Sequence, residues 1–375
     1  MPPVSGNRLV VKVGTTLLTS GRNHLDLSVM AGLVEQIVEL HGRGKEIIIV
    51  SSGAVAAGRE KLRRRPPGEQ GSTAFKQVLA SIGQSHLMST YDTLFSRHDI
   101  TIAQALLTRD CVTDRAGYLN ARNTLLSLCE MGVICIVNEN DVVAVEELGE
   151  HRFGDNDTLS AMVANLVDAD LLVILTDTGG LYTADPRLHP DAELMSRVEV
   201  IDENVESVAG GTLNTQGIGG MSTKIEAAKL ATCSGVDVLI ANGREPNILL
   251  RIDDGEVTGT LFVASGSKVE SRKRWMLSGL ACQGRVVVDA GAVRAVKRGS
   301  GSLLPAGVVE VAGSFARGDI VDVVSAEGLR IATGIANYSS EDVERVRGQH
   351  SDQIADLLGY SYGDEVVHRN NMVVL

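Results

Sequence analysis

The sequence predicts an α/β protein: a three-layer αβα sandwich around a mostly parallel sheet, followed by a small β-barrel-like domain. Three observations carry this. From Leu9 to about Asn242, short runs rich in β-branched residues alternate with longer amphipathic stretches, the pattern of strands buried on both faces and covered by crossover helices. Between Phe262 and Arg274 the rhythm breaks into Ser, Gly, Lys and Arg, a composition that marks a domain boundary. Beyond it the apolar runs are short and separated by Gly-containing turns, as in a small, mostly antiparallel β-barrel. The expected organisation is an α/β domain over 1–270, a linker over 271–281 and a β domain over 282–375.

The first strand is read at 9–13. The helix after it has Leu27, Met30, Leu33, Val34, Ile37 and Leu40 on one face, at steps of three and four. A second strand at 47–50 leads into a helix opened by Ala54 to Gly58. Strands at 101–107 and 133–137 are followed by helices from about Asp114 and Asp155. A strand at 171–175 follows, and one at 236–240 comes after a helix rich in Ala227, Ala228, Leu230 and Ala231. Residues 63–68 combine charge with Pro and Gly and read as a loop. In the β domain, strands at 286–288, 308–311, 320–324 and 331–332 are separated by turns at Ala290-Gly291, Arg317-Gly318-Asp319 and Glu327-Gly328. One helix is expected there, near 351–358. Arg294, Lys297 and Arg298 form a basic patch read as a solvated loop.

With 375 residues the chain is long enough for two or three domains. Its net charge of −12 argues against a chain-wide footprint for nucleic acid or anionic membrane. The five cysteines are odd in number with no C-x-x-C pair, so neither a disulfide framework nor a zinc site is expected, and they read as reduced thiols of a cytoplasmic protein. The N-terminus lacks an apolar signal core, and no run approaches a membrane span of about 18 residues. Glycine is abundant at 40 residues while aromatics are 3%, a combination suited to backbone that approaches something closely.

In a parallel α/β sheet, ligands sit beyond the carboxyl ends of the strands. Polar and glycine residues gather there: Gly14, Thr15 and Thr16 after the first strand, Ser51, Ser52 and Gly53 after the second, Asn138 to Asp141 after the fourth, and Thr176 and Asp177 after the fifth. Neither G-x-x-x-x-G-K-[ST] nor G-x-G-x-x-G after the first strand occurs, so bound phosphate would be held another way. Lys12 lies inside a buried type of strand, where a charge is costly unless paired. It either sits on an edge strand or reaches an anion held by the N–H groups of the next turn. Gly53 is either a tight helix cap or a source of backbone donors at a helix start. In Gly217-Ile218-Gly219-Gly220-Met221-Ser222-Thr223-Lys224 a glycine loop ends in a lysine at a helix start, which opposes the helix dipole unless an anion is near. Gly154-Asp155-Asn156-Asp157 holds more polar groups than a cap needs. The histidines show no metal-ligand spacing and no Ser/His/Asp set is identifiable, so neither a protein metal site nor hydrolase chemistry is expected.

These segments, in order, with Val11 to Thr15, Val50 to Ala54, Leu175-Thr176-Asp177 and Gly180-Leu181-Tyr182-Thr183-Ala184-Asp185-Pro186, resemble the amino acid kinase family. The β-rich end resembles the PUA domain that many bacterial members append, so the resemblance covers the whole chain. It implies ATP-dependent phosphorylation of the side-chain carboxylate of L-glutamate to L-glutamyl 5-phosphate, the first step of proline biosynthesis, with proline as feedback inhibitor. Sibling acceptors are aspartate, acetylglutamate, carbamate and UMP. An RNA-binding role for the C-terminal domain is a separate alternative, disfavoured by nine Lys/Arg against twelve Asp/Glu from Cys282 onward.

Carried over by resemblance, Lys12, Lys224 and Asp157 are the catalytic set, the lysines neutralising phosphate and Asp157 orienting them. ATP is met by Lys12, Gly14, Thr176, Asp177, Ile218, Gly219, Gly220, Met221, Ser222, Thr223 and Lys224. Glutamate is met by Ser52, Gly53, Asp141 and Asn156, with Asp141 on its ammonium. Ile218 stands where the family has Thr. Mg²⁺ is expected on ATP. A homo-oligomer (dimer or tetramer) and contact with the next enzyme, glutamyl phosphate reductase, are further implications. Residues 72–88 resemble a family region near the acceptor, with no contacts assigned.

Overall fold

The computed structural model describes residues 6–62, 73–108, 111, 114–143, 156–186, 188–210, 220–256, 258–265, 282–298 and 301–375. The loop expected at 63–68, the linker expected at 271–281 and the expectations for Gly154, Asp155, Gly217, Ile218 and Gly219 lie outside the described residues. The chain divides into two compact units, Met1–Thr113 with Ala121–Ser267, and Asp114–Asn120 with Lys268–Leu375.

The first unit holds eight strands: β1 (Arg8–Val13), β2 (Glu46–Ser51), β3 (Ile102–Leu107), β4 (Ile134–Glu139), β5 (Leu171–Thr176), β6 (Arg197–Val198), β7 (Asp237–Asn242) and β8 (Thr260–Phe262). Their order across the sheet is β3-β4-β2-β1-β5-β7-β8-β6. Every pairing is parallel except β7 with β8. The predicted parallel α/β sheet is therefore present, and it is extended at one edge by two strands not predicted, β8 antiparallel to β7 and β6 parallel to β8.

The helices of this unit are α1 (Thr15–Thr19), α2 (Leu27–Gly42), α3 (Ala54–Lys61), α4 (Thr73–Phe95), α5 (Arg115–Glu130, from Ala121 on), α6 (Asn156–Leu166), α7 (Glu203–Gly210), α8 (Met221–Cys233) and α9 (Ile248–Asp253). Side chains of a strand alternate between faces. Leu9, Val11 and Val13 of β1 join one core with Met30, Leu33, Ile37 and Leu40 of α2 and Leu87, Tyr91 and Phe95 of α4. Lys12 therefore points to the opposite face, where α6 packs on β1. Helices α3 and α4 meet at backbone distance, since a Cβ on Gly58 would fall 1.9 Å from the Leu79 carbonyl oxygen and one on Gly83 would fall 1.8 Å from that of Ala54. Burial pushes the thiols of Cys129 and Cys135 up to about 11 and about 12, so both are inert.

The second unit is a five-stranded sheet of order β10-β9-β11-β12-β13, from β9 (Gly284–Val288), β10 (Val308–Gly313), β11 (Ile320–Ser325), β12 (Arg330–Ile335) and β13 (Met372–Val374). Its pairings are antiparallel apart from β9 with β11. It has its own core around Val286, Val288, Val321, Val323, Ile331 and Tyr338. Three expectations are corrected here. Ala290-Gly291 is not a turn but opens the helix α10 (Ala290–Lys297), because the Asp289 side chain accepts the Ala292 N–H and caps it. Arg294 and Lys297 consequently lie in that helix, with Arg298 as its C-cap, rather than in a loop. The single helix expected near 351–358 is instead α12 (Ile354–Leu358), preceded by α11 (Ser340–Val346), whose cap is the Ser339 hydroxyl on the Asp342 N–H.

Candidate active site

Strand β1 is flanked by β2 on one side and β5 on the other, with Lys12 in register with Val50 and Ile174. It is the point where strand order reverses, and in such sheets a crevice opens at the carboxyl ends there. The edge-strand alternative for Lys12 is thereby removed. Gly14 ends the strand and is the N-cap of α1. Its φ of −78° is ordinary, so the expected turn is an extended cap. A Cβ there would meet the Lys12 Nζ at 3.5 Å and the Leu175 carbonyl oxygen at 3.7 Å, both ordinary contacts. Gly53 is different, with φ +105° as N-cap of α3, a left-handed conformation that favours glycine.

Lys12, Lys224 and Asp157 come together from three elements. Asp157 stands in the first turn of α6 and is fully buried, while Lys12 and Lys224 are 4% and 6% exposed. The Lys12 Nζ pairs with Asp157 Oδ1, and the Lys224 Nζ donates to Asp157 Oδ2 at 3.0 Å. The Thr223 hydroxyl lies 3.0 Å from the same Oδ2 and 2.9 Å from the Gly220 carbonyl oxygen. Burial works to raise the Asp157 carboxyl, but the two ammonium groups and their hydrogen bonds outweigh it and hold it down at about 2. Two cations on one carboxylate leave a net positive charge within a buried cluster, a strong field for an incoming anion.

At the carboxyl end of β5, Thr176 ends the strand and Asp177 follows, with the Thr176 hydroxyl 3.3 Å from Asp177 Oδ1. Gly220 caps α8 in an extended conformation, and Met221, Ser222 and Thr223 form its first turn.

The other side of the crevice is a line of amides. Asn156 Nδ2 donates to Ser52 Oγ at 2.9 Å and to Asn138 Oδ1 at 3.0 Å. Asn138, 2% exposed, donates from Nδ2 to Gln84 Oε1 of α4 at 2.8 Å. Ser51 Oγ and Tyr91 OH are 2.9 Å apart, and burial pushes the Tyr91 phenol up to about 12. Asp141 follows β4, and burial alone raises its carboxyl. Lys12, Asp157 and Lys224 are thus united with Gly14, and Ser52 with Asn156. Asn138 was expected only among the polar residues at the end of the fourth strand, and Gln84 and Tyr91 were not singled out. Their signal was available: Gln84 falls at helical spacing between the buried Ala80, Leu87 and Tyr91, where a polar side chain needs a partner.

Two lysines on one carboxylate, at the reversal of strand order in an open α/β sheet, put this chain among α/β proteins with a positively charged site at the carboxyl ends of the strands. Residues 7–242 match the amino acid kinase family model and residues 284–358 match the PUA domain. The chain belongs to the amino acid kinase family. It is 55% identical over 368 residues to a glutamate 5-kinase of Dehalococcoides mccartyi, covering 98% of each chain. It is 48% identical over 366 residues to one of Herpetosiphon aurantiacus, again covering 98% of each, and 47% identical over 367 residues to one of Vibrio vulnificus, covering 98% of this chain and 96% of that one. A solved UMP kinase from Bacillus anthracis is similar with a TM-score of 0.49 at 16% identity, over 70% of this chain and 98% of that one.

Proposed function

We propose that the chain transfers the terminal phosphoryl group of ATP to the side-chain carboxylate of L-glutamate, giving L-glutamyl 5-phosphate, the first step of proline biosynthesis. Relatives named glutamate 5-kinase over nearly the whole chain support the substrate. The observation that carries the chemistry is the buried pair of lysines on Asp157. A carboxylate nucleophile is already ionised at neutral pH and needs no general base. The barrier is the approach of two anions, so catalysis comes from positive charge and alignment.

Lys12 and Lys224 neutralise the phosphates and the group in flight, and Asp157 holds both ammonium groups in place. Gly14 and Gly53 offer backbone N–H groups. Thr176, Asp177 and residues 218–224 form the nucleotide side, while Ser52, Gly53, Asp141 and Asn156 hold glutamate. Asp141 has no hydrogen bond or ion pair among the described residues, so the substrate ammonium supplies the counter-charge that a half-buried carboxylate needs. Mg²⁺ would be carried in on the phosphates of ATP. The ion then supplies further neutralisation of phosphate charge.

The same reading assigns 1–270 to catalysis, 271–281 to a linker and 282–375 to the PUA domain, in a cytoplasmic homo-oligomer that is inhibited by proline and feeds glutamyl phosphate reductase. Among the described residues no helix is long and apolar enough to cross a membrane. The test is acyl-hydroxamate formation with ATP, Mg²⁺ and each acceptor in turn, with and without proline. Glutamate is expected to turn over in preference to aspartate, acetylglutamate, carbamate and UMP. Absence of glutamate-dependent turnover overturns the proposal.

A further inference from the structure

We infer that Gln84 is a positioning residue which fixes the direction of the acceptor-site amides and so selects a substrate that carries an α-ammonium group. The inference rests on the glutamate phosphorylation proposed above. Its starting point is a chain of hydrogen bonds with a definite sense. Asn156 Nδ2 also reaches the Ser51 carbonyl oxygen at 3.4 Å, and a carbonyl can only accept. The Asn156 NH₂ group is therefore turned toward the end of β2, where it meets Ser52 Oγ and Asn138 Oδ1. Asn138 must then present its own NH₂ group on the other side, and there Gln84 Oε1 receives it.

Two consequences follow for a bound molecule. Asn156 Oδ1 is buried with no partner among the described residues, so it is an acceptor, suited to an ammonium group and not to a carboxylate. Ser52 Oγ already accepts a hydrogen bond, which leaves its hydroxyl hydrogen to donate, and that suits a carboxylate. The pocket thus holds one fixed acceptor beside one fixed donor, the pattern of an α-amino acid. Gln84 is what makes the sense stable. Without its oxygen the nearly buried Asn138 NH₂ group has lost its acceptor, and turning the Asn138 amide to relieve this sets it donor to donor against Asn156. The close contact of Gly58 and Gly83 seats α4 against α3 and brings Gln84 within reach.

The test compares kcat/KM for glutamate with that for glutarate, which keeps both carboxylates and lacks the ammonium group. In Gln84→Met the ratio is expected to fall about tenfold, the size of one hydrogen bond to a charged group, while ADP affinity by calorimetry stays within about twofold. Gln84→Glu keeps an acceptor oxygen, and the ratio stays within about twofold of the unsubstituted protein. Should Gln84→Met fold poorly, the Asn138→Asp, Gln84→Met pair asks the same question. A carboxylate at 138 accepts from Asn156 in either orientation, so the ratio is expected to be restored. A ratio near one in the unsubstituted protein, no change in Gln84→Met, or an equal fall in Gln84→Glu overturns the assignment. If glutamate itself is not turned over, the proposed function has failed instead, and the ratio is read on the acceptor that is used and its des-amino form.

Discussion

Asp157 carries two lysines, and that inequality makes substitutions within the cluster unequal. Lys224→Ala leaves Lys12 and Asp157 as a neutral pair, so the fold is expected to persist while turnover drops by about a thousandfold or more, the cost of losing a preorganised charge. Circular dichroism and hydroxamate assay together check this, and retained turnover would refute the role of Lys224. Asp157→Asn instead leaves two buried cations without a counter-charge and is expected to cost about 3 kcal/mol or more at neutral pH. The pH dependence has a fixed sign. Because the folded carboxyl is held at about 2, below its ordinary value of 3.8, the unfolded chain takes up the proton first on acidification. The stability difference between Asp157→Asn and the unsubstituted protein should therefore be complete above about pH 4 and shrink toward pH 2. Urea unfolding across that range is the measurement, and a difference that stays constant overturns the assignment.

Elements set these distances more tightly than any single side chain. At the crossing of α3 and α4, Gly83→Ala puts a methyl group 1.8 Å from the Ala54 carbonyl oxygen and 2.3 Å from the Gly58 nitrogen. Backbone cannot yield as a side chain tip does, so the helices must part, at an expected cost of about 2 kcal/mol. The urea midpoint should fall, and KM for glutamate should rise more than KM for ATP, since α4 carries Gln84 and Tyr91 while the nucleotide residues lie elsewhere. Such crossings also mark where the sequence was legible and where it was not. Continuous apolar runs such as Ile47 to Val50 fix a strand and its burial from composition alone, and Lys12 within one already demanded a counter-ion. Which carboxylate answered could be inferred only through resemblance, because Lys12 and Asp157 are joined by chain closure over many residues. Gln84 was legible only as a polar residue on a buried helix face; its partner Asn138 lies on another element, and no spacing rule connects a helix face to a strand end. The misread Ala290-Gly291 shows the opposite failure, a local turn signal overruled by one capping carboxylate on Asp289.

For the whole molecule, charge is distributed sparingly. A net charge of −12 coexists with a buried cluster of two lysines on one carboxylate. The C-terminal stretch from Cys282 onward has no basic surplus to offer a nucleic acid, with nine Lys/Arg and twelve Asp/Glu. Filter binding of structured RNA at low salt is expected to show no saturable retention, and a salt-sensitive saturable isotherm would contradict this. The contact at Asp157 also ties three distant parts of the chain to one buried point: residues 12, 157 and 224 meet there from β1, α6 and α8. A fragment ending before residue 224 therefore keeps only the Lys12–Asp157 pair, of zero net charge, and lacks the cluster's surplus cation.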